Sequence, residues 1–338
     1  MTGVVGIRAW PRPVVLALGV LLVAACYYAA GRLGLMQQLV AEGSVVTPLW
    51  PPTGLAVACL LLFGPACVPG IAVGALLVVA SITPPGPATV GVVVGNTAAP
   101  LCAFLMLRAV GFRTDLARIR DGVALVFLGA LAAMLISSGA GVGMLALAGK
   151  LPAGDVWFVW LAWWVGDAMG VVIVTPLLLL LYRLYRARRA PPPGRWGEAA
   201  VLVVAAGAVV PLAVYSRVSM LFLVYPLLIW AALRFQLAGS MPCALFASVM
   251  ATVAAGDHAG SFGRLTDVEV MVKLQAFNGT MALTALLLSS VISEQLHTRR
   301  SVERACQELV EALQHLSAGT PPGAPRPSEG GKTGGTGE

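Results

Sequence analysis

The residues best equipped for chemistry lie in one stretch, Trp160-Leu161-Ala162-Trp163-Trp164-Val165-Gly166-Asp167-Ala168-Met169-Gly170. Asp167 sits near the middle of an apolar run over 156–181. On a helix turning about 100° per residue, Asp167 falls about 40° from Trp163, Trp160 about 60° and Trp164 about 100°. Gly166 and Gly170 form an adjoining smooth strip, a Gly-x-x-x-Gly pattern that lets a neighbouring element approach closely. An aspartate at the centre of a bilayer costs roughly 2.5–3.5 kcal/mol, so it must face the protein interior and find a partner there. Two roles are open to it: a structural acid that pins helices together, or a contact for a ligand or ion. The expected donors to its carboxylate are Asn96 and the indole N–H groups of Trp163 and Trp164. Trp50, in a broken segment upstream, completes the set of ligand-binding or signalling candidates.

Catalysis finds no such set. No nucleophile and base, metal cluster or pair of carboxylates falls within the apolar runs, so no catalytic residue, metal or cofactor is expected, and the protein is read as a non-enzyme. Cys26, Cys59, Cys67, Cys102, Cys243 and Cys306 include no C-x-x-C pair, and five of them lie in apolar runs as small packing residues. The three histidines are isolated, and Asp257-His258 reads as a solvated loop.

The elements that must hold these residues follow from composition. Of 338 residues, 58% are apolar and only 11% charged, which specifies an all-α polytopic membrane protein. The net charge of +7 sits in clusters between apolar runs, where basic residues set topology, so no nucleic acid partner is expected. About ten transmembrane helices are predicted, near 14–30, 55–63, 67–82, 89–107, 123–148, 156–181, 199–215, 220–233, 240–255 and 270–293. Two are short. The first of these follows Pro48, Pro51 and Pro52, which cannot lie in a helix interior and predict an extended or broken entry. Val23-Ala24-Ala25-Cys26 loosely matches a lipoprotein cleavage box, but the apolar run continues through Ala30, which suits a retained helix.

With the N-terminus inside, the 22 basic residues divide 17 to 5 in favour of the cytoplasm, and an odd number of spans would spoil the division. Residues 1–13 are then a cytoplasmic N-terminus, 14–293 the integral-membrane domain, and both termini face the cytoplasm. Residues 294–317 form a polar cytoplasmic helix in which Val302, Leu309 and Leu316 recur every seven positions, a stripe suited to a short parallel homodimer. Residues 318–338, rich in Gly, Pro and Thr, are expected to be disordered. A parallel internal repeat is also visible. Phe63 and Phe235 lie 172 residues apart, and Asn96 and Asn278 lie 182 apart, each pair following a proline-flanked short span. In membrane transport folds, short interrupted helices at matching positions in two halves point to a site at mid-membrane.

Several motifs occur in order: Pro48-Leu49-Trp50-Pro51-Pro52-Thr53-Gly54-Leu55, Gly95-Asn96-Thr97, the Trp160–Gly170 stretch with Thr175-Pro176, Tyr225-Pro226 through Arg234-Phe235, and the closing run from Ala282. Together they resemble the bacterial membrane-associated sensor domain of the first type, MASE-one, over roughly residues 20–297. The resemblance implies signal perception at the membrane ahead of a cytoplasmic output domain such as a histidine kinase or diguanylate cyclase. The residues after the last span carry no cyclase signature, nucleotide lobe or histidine dimerisation box, and too few remain for a folded domain. An input module that signals to a separate cytoplasmic kinase or cyclase is therefore expected, with membrane lipid and an unknown small ligand as its other partners. A transporter, or a substrate-binding membrane subunit of a transport system, is the alternative.

Overall fold

Prolines mark where the helices begin. The computed structural model describes residues 12–36, 39–41, 44–187 and 195–317. Helix α1 is Arg12–Leu35 and runs unbroken through Cys26. Helices α2 (Pro51–Phe63), α3 (Val68–Ala80) and α4 (Pro87–Ala109) each carry a proline in the first turn, where the missing N–H would have had no helical partner anyway. This refines the sequence expectation. Pro51 and Pro52 do not delay the second helix to residue 55; they start it, giving thirteen residues. The chain before them, 47–50, is non-helical, and a small antiparallel ribbon pairing Leu39 with Val46 links it to α1.

Two long helices follow, and each contains a widened turn. Helix α5 is Ile119–Leu147 with a π-helical segment at Leu125–Ala132, and α6 is Val156–Ala187 with one at Gly170–Val174. In α6 the widened turn runs up to Thr175-Pro176, and Pro176 has no N–H to return to the carbonyl four residues back. The remaining helices are α7 (Trp196–Tyr215), α8 (Val224–Phe235), α9 (Leu237–Gly256) and α10 (Asp267–Ser317).

Ten apolar helices are thus present among the described residues. Seven are long and apolar enough to cross a membrane; Pro51–Phe63, Pro65–Ala80 and Leu221–Phe235 are shorter. The sequence indicated two short helices and the structure has three, because the run over 67–82 ends its helix at Ala80. Outward-facing side chains such as Leu22, Val90, Val203 and Val204 stay largely uncovered, a surface that belongs against lipid rather than water. The repeat also has a local counterpart. Phe63 is followed by Gly64 at φ 80° and Phe235 by Gln236 at φ 49°, so both short helices end in a left-handed residue that turns the chain into the next helix.

Among the described residues, those up to Ser293 form one compact unit and those from Glu294 another. Within the first, α1 packs on α3, α4 on α5, and α2 lies against the widened turn of α6, while α8 and α9 pair in the second half. One apolar cluster joins α1, α2 and α3 through Tyr27, Leu60, Ile71 and Val78, with Phe104 from α4. In the second unit the helix continues to Ser317, an Arg299–Glu303 pair spans one turn, and Val302, Leu309, Val310 and Leu313 are exposed. The expectations for residues 1–11, for most of the basic loop near 190 and for the tail from 318 lie outside the described residues.

Candidate functional site

The site is assembled around a close backbone crossing. Gly166 and Gly170 present their bare faces to the segment that enters α2, not to another mid-helix. A Cβ at Gly166 would run into the Thr47 carbonyl oxygen, and one at Gly170 into that of Trp50. Gly54 is pressed in turn against the Gly170 carbonyl. The crossing is tied by hydrogen bonds: the Trp50 N–H donates to the Gly166 carbonyl at 3.0 Å, and the Thr175 hydroxyl to the Gly54 carbonyl at 2.9 Å. The small-residue strip therefore admits a broken chain, and the broken chain brings polar side chains to the acid.

Asp167 is completely buried, and its Oδ1 accepts the Thr53 hydroxyl at 2.6 Å. Its Oδ2 meets no donor at hydrogen-bond geometry. Ser137 and Trp163 stand beside the same carboxyl, but the Ser137 hydroxyl is directed to Asn96 Oδ1 at 2.8 Å. Asn96, Ser137 and Asp167 thus form a polar seam linking α4, α5 and α6, with Thr53 from α2 closing it. Tyr27 of α1 lies across from Asp167 with the Trp50 indole alongside. Its hydroxyl is buried and also lacks a partner.

Next to this seam is a cavity of about 390 Å³, inside the size range of small-molecule pockets, roughly 300–1,000 Å³. Trp50, Asn96 and Trp163 line it together with Tyr27, Thr89 and Lys150. Leu35, Thr47, Ile82, Thr83 and Lys150 also reach it, so the connections at 36–50, 81–86 and 148–155 gather at one end of the bundle.

Three of the five sequence candidates therefore meet in one cavity, and Asp167 stands at its polar seam without lining it. Trp164 does not join them. Its indole N–H donates to the Leu131 carbonyl at 2.8 Å, inside the widened turn of α5, and its ring stacks on Trp160, which stacks on Trp157. Of the expected donors to Asp167, Trp163 stands beside the carboxyl while Asn96 and Trp164 are engaged elsewhere, and the clear hydrogen bond comes from Thr53, a residue of the proline motif whose hydroxyl gave no signal in the sequence apart from that motif. Tyr27, Ser137 and Lys150 were missed as well, since each reads as an ordinary member of its segment.

The MASE1 family profile matches residues 20–296, most of the chain. The chain belongs to the MASE1 family. This MASE1 protein is accordingly a membrane-associated sensor domain. No curated protein and no solved structure matches it. The MASE1 match covers both the cavity-lining helices α1–α6 and the second half, α7 to the inner part of α10.

At the opposite end from the cavity, charged groups gather. Asp121, buried at the start of α5, accepts from the Arg113 N–H at 3.1 Å and from Arg118 Nε at 3.3 Å. Arg183, near the end of α6, donates to the Asp115 carbonyl at 2.8 Å, and Arg234 pairs with Glu198.

Proposed function

We propose that this MASE1 protein perceives a small ligand in the cavity between α1, α3, α4, α5 and α6, and signals to a separate cytoplasmic protein through residues 294–317. The observation that carries the reading is the convergence of Trp50, Asn96 and Trp163 on one cavity, open at the Lys150 end and bordered by the Asp167 seam. Ligand pockets are mostly apolar with a few placed polar groups, and this one has indole walls and a short set of donors. The widened turns of α5 and α6 flank the seam, and such turns are frequent at functional sites. Asp167 ties the entry to α2 to the middle of α6, so a ligand that moves Trp50 would be felt at the acid.

The preferred orientation puts the cavity end outside and the Arg113–Arg118–Arg183 end inside, as the division of basic residues requires. Residues 294–317 then lie in the cytoplasm, available to a kinase or cyclase partner or to a second copy. The broken entry to α2 and the short helices also suit a carrier. Reconstituted vesicles separate the two. A molecule that co-purifies with the protein should bind to saturation without accumulating inside; time-dependent accumulation would assign the protein to transport.

A further inference from the structure

The lining of the cavity says more about its occupant than its size does. Its lining holds a single charged group, a cation, and Asp167 stands behind the lining rather than in it. Lys150 is the one charged side chain among the residues that line it, and no carboxylate does. Lys150 is exposed on the 148–155 connection, with no side-chain partner among the described residues. Deeper in, two polar groups face the space, and of these the Tyr27 hydroxyl is the fully buried one. Asn96 is 7% exposed, and with its Oδ1 held by Ser137 the amide N–H₂ is left as a donor toward the space it lines. The Tyr27 hydroxyl, on a residue 1% exposed, has the Trp50 indole beside it, a group that can donate but not accept, so its own O–H is left as a donor. Between these and Lys150 the walls are Trp50, Trp163 and aliphatic side chains, with Thr47, Thr83 and Thr89 among them.

Each feature constrains a ligand. A buried donor left without an acceptor costs on the order of 1–3 kcal/mol, a cost that an acceptor atom on a ligand would remove. Indole faces accept flat or methylene-rich bodies. A lone ammonium at the exposed mouth selects a negative group, although solvent there screens the attraction. A cationic ligand would face Lys150 with no carboxylate in the lining to receive it.

Resting on the proposed sensor reading, we infer that the ligand is a small soluble amphipathic anion, a carboxylate on an aromatic or short aliphatic body. Its carboxylate pairs with Lys150 at the mouth. The body lies between Trp50 and Trp163, and a second acceptor atom, where present, reaches the Asn96 amide and the Tyr27 hydroxyl.

The test uses the full chain in phosphatidylcholine nanodiscs, with calorimetric titration of three probes sharing one body: phenylbutyrate, its neutral amide and the corresponding phenylbutylamine. The acid should bind about tenfold more tightly than the amide, and the amine most weakly. Lys150→Gln should remove about that tenfold advantage and leave the amide unaffected. Equal binding of acid and amine, or an acid affinity unchanged in Lys150→Gln, would overturn the anion assignment while leaving a ligand cavity in place. Binding of none of the three would overturn the assignment too, and the sensor reading falls with it if no small molecule co-purifies with the protein either. Discs containing phosphatidylglycerol separate the sources. Unchanged affinity supports a soluble ligand, and a tenfold loss would give the mouth of the cavity to a lipid headgroup.

Discussion

Thr53 and Asp167 lie 114 positions apart in sequence, yet the threonine hydroxyl donates to the aspartate Oδ1 at 2.6 Å in a fully buried setting. That bond joins the first turn of α2 to the middle of α6. It is available because Pro51 and Pro52 begin a helix at that point, and because Gly166 and Gly170 let the entering chain press against α6. Thr53→Val keeps the shape and removes the donor, leaving Asp167 with both oxygens unsatisfied. The expected loss is about 1–3 kcal/mol, read as a lower detergent melting temperature. A melting curve that coincides with wild type would show that the bond does not hold the two helices.

Asp167 itself divides structure from signal. Asp167→Asn keeps an acceptor for Thr53 and nearly the same volume, so it should insert and melt close to wild type while losing ligand-dependent signalling to the cytoplasmic protein. Asp167→Leu removes the acceptor, strands the Thr53 hydroxyl and should cost about 1–3 kcal/mol. If Asn signals normally while Leu unfolds, the acid is a structural pin.

The glycine crossing gives a sharper steric prediction. Gly170→Ala would drive a methyl into the Trp50 carbonyl, and overpacking of this kind costs typically about 1–3 kcal/mol. Gly207→Ala on α7, where a Cβ meets nothing, should be neutral or raise stability by up to about 1 kcal/mol through helix propensity. Equal effects at the two positions would remove the crossing from the account.

Topology is tested by placing reporters at opposite ends. A fusion after Ser317 should report the cytoplasm and one inserted after Arg264 the exterior, as the 17-to-5 division of basic residues requires. Both reporters on one side would overturn the topology, and exchanged sides would move the cavity to the inner face.

The number and order of the helices were legible because each crossing needs a long apolar run and each connection carries prolines or arginines. The burial of Asp167 and the close approach at Gly166 and Gly170 were legible too, since an acid in an apolar run is costly wherever it sits. What faces that acid was not. Helical angles place Trp163 and Trp164 within a quadrant of Asp167, but the widened turn of α5 exposes the Leu131 carbonyl, and Trp164 turns to satisfy it. No periodicity announces a π-helical turn in another helix. Likewise Thr53 and Tyr27 come from separate segments, and only the packing of α1 on α2 and of α2 on α6 brings them to one place.

The most direct test of the account is whether the cavity holds a molecule. Native mass spectrometry of the protein released from its own membranes should show a bound small molecule on wild type. Val79→Trp, which fills the cavity from the α3 wall, should lack it while keeping its melting temperature. The same bound species on both proteins, or none on wild type, would contradict a ligand site between Trp50, Asn96 and Trp163.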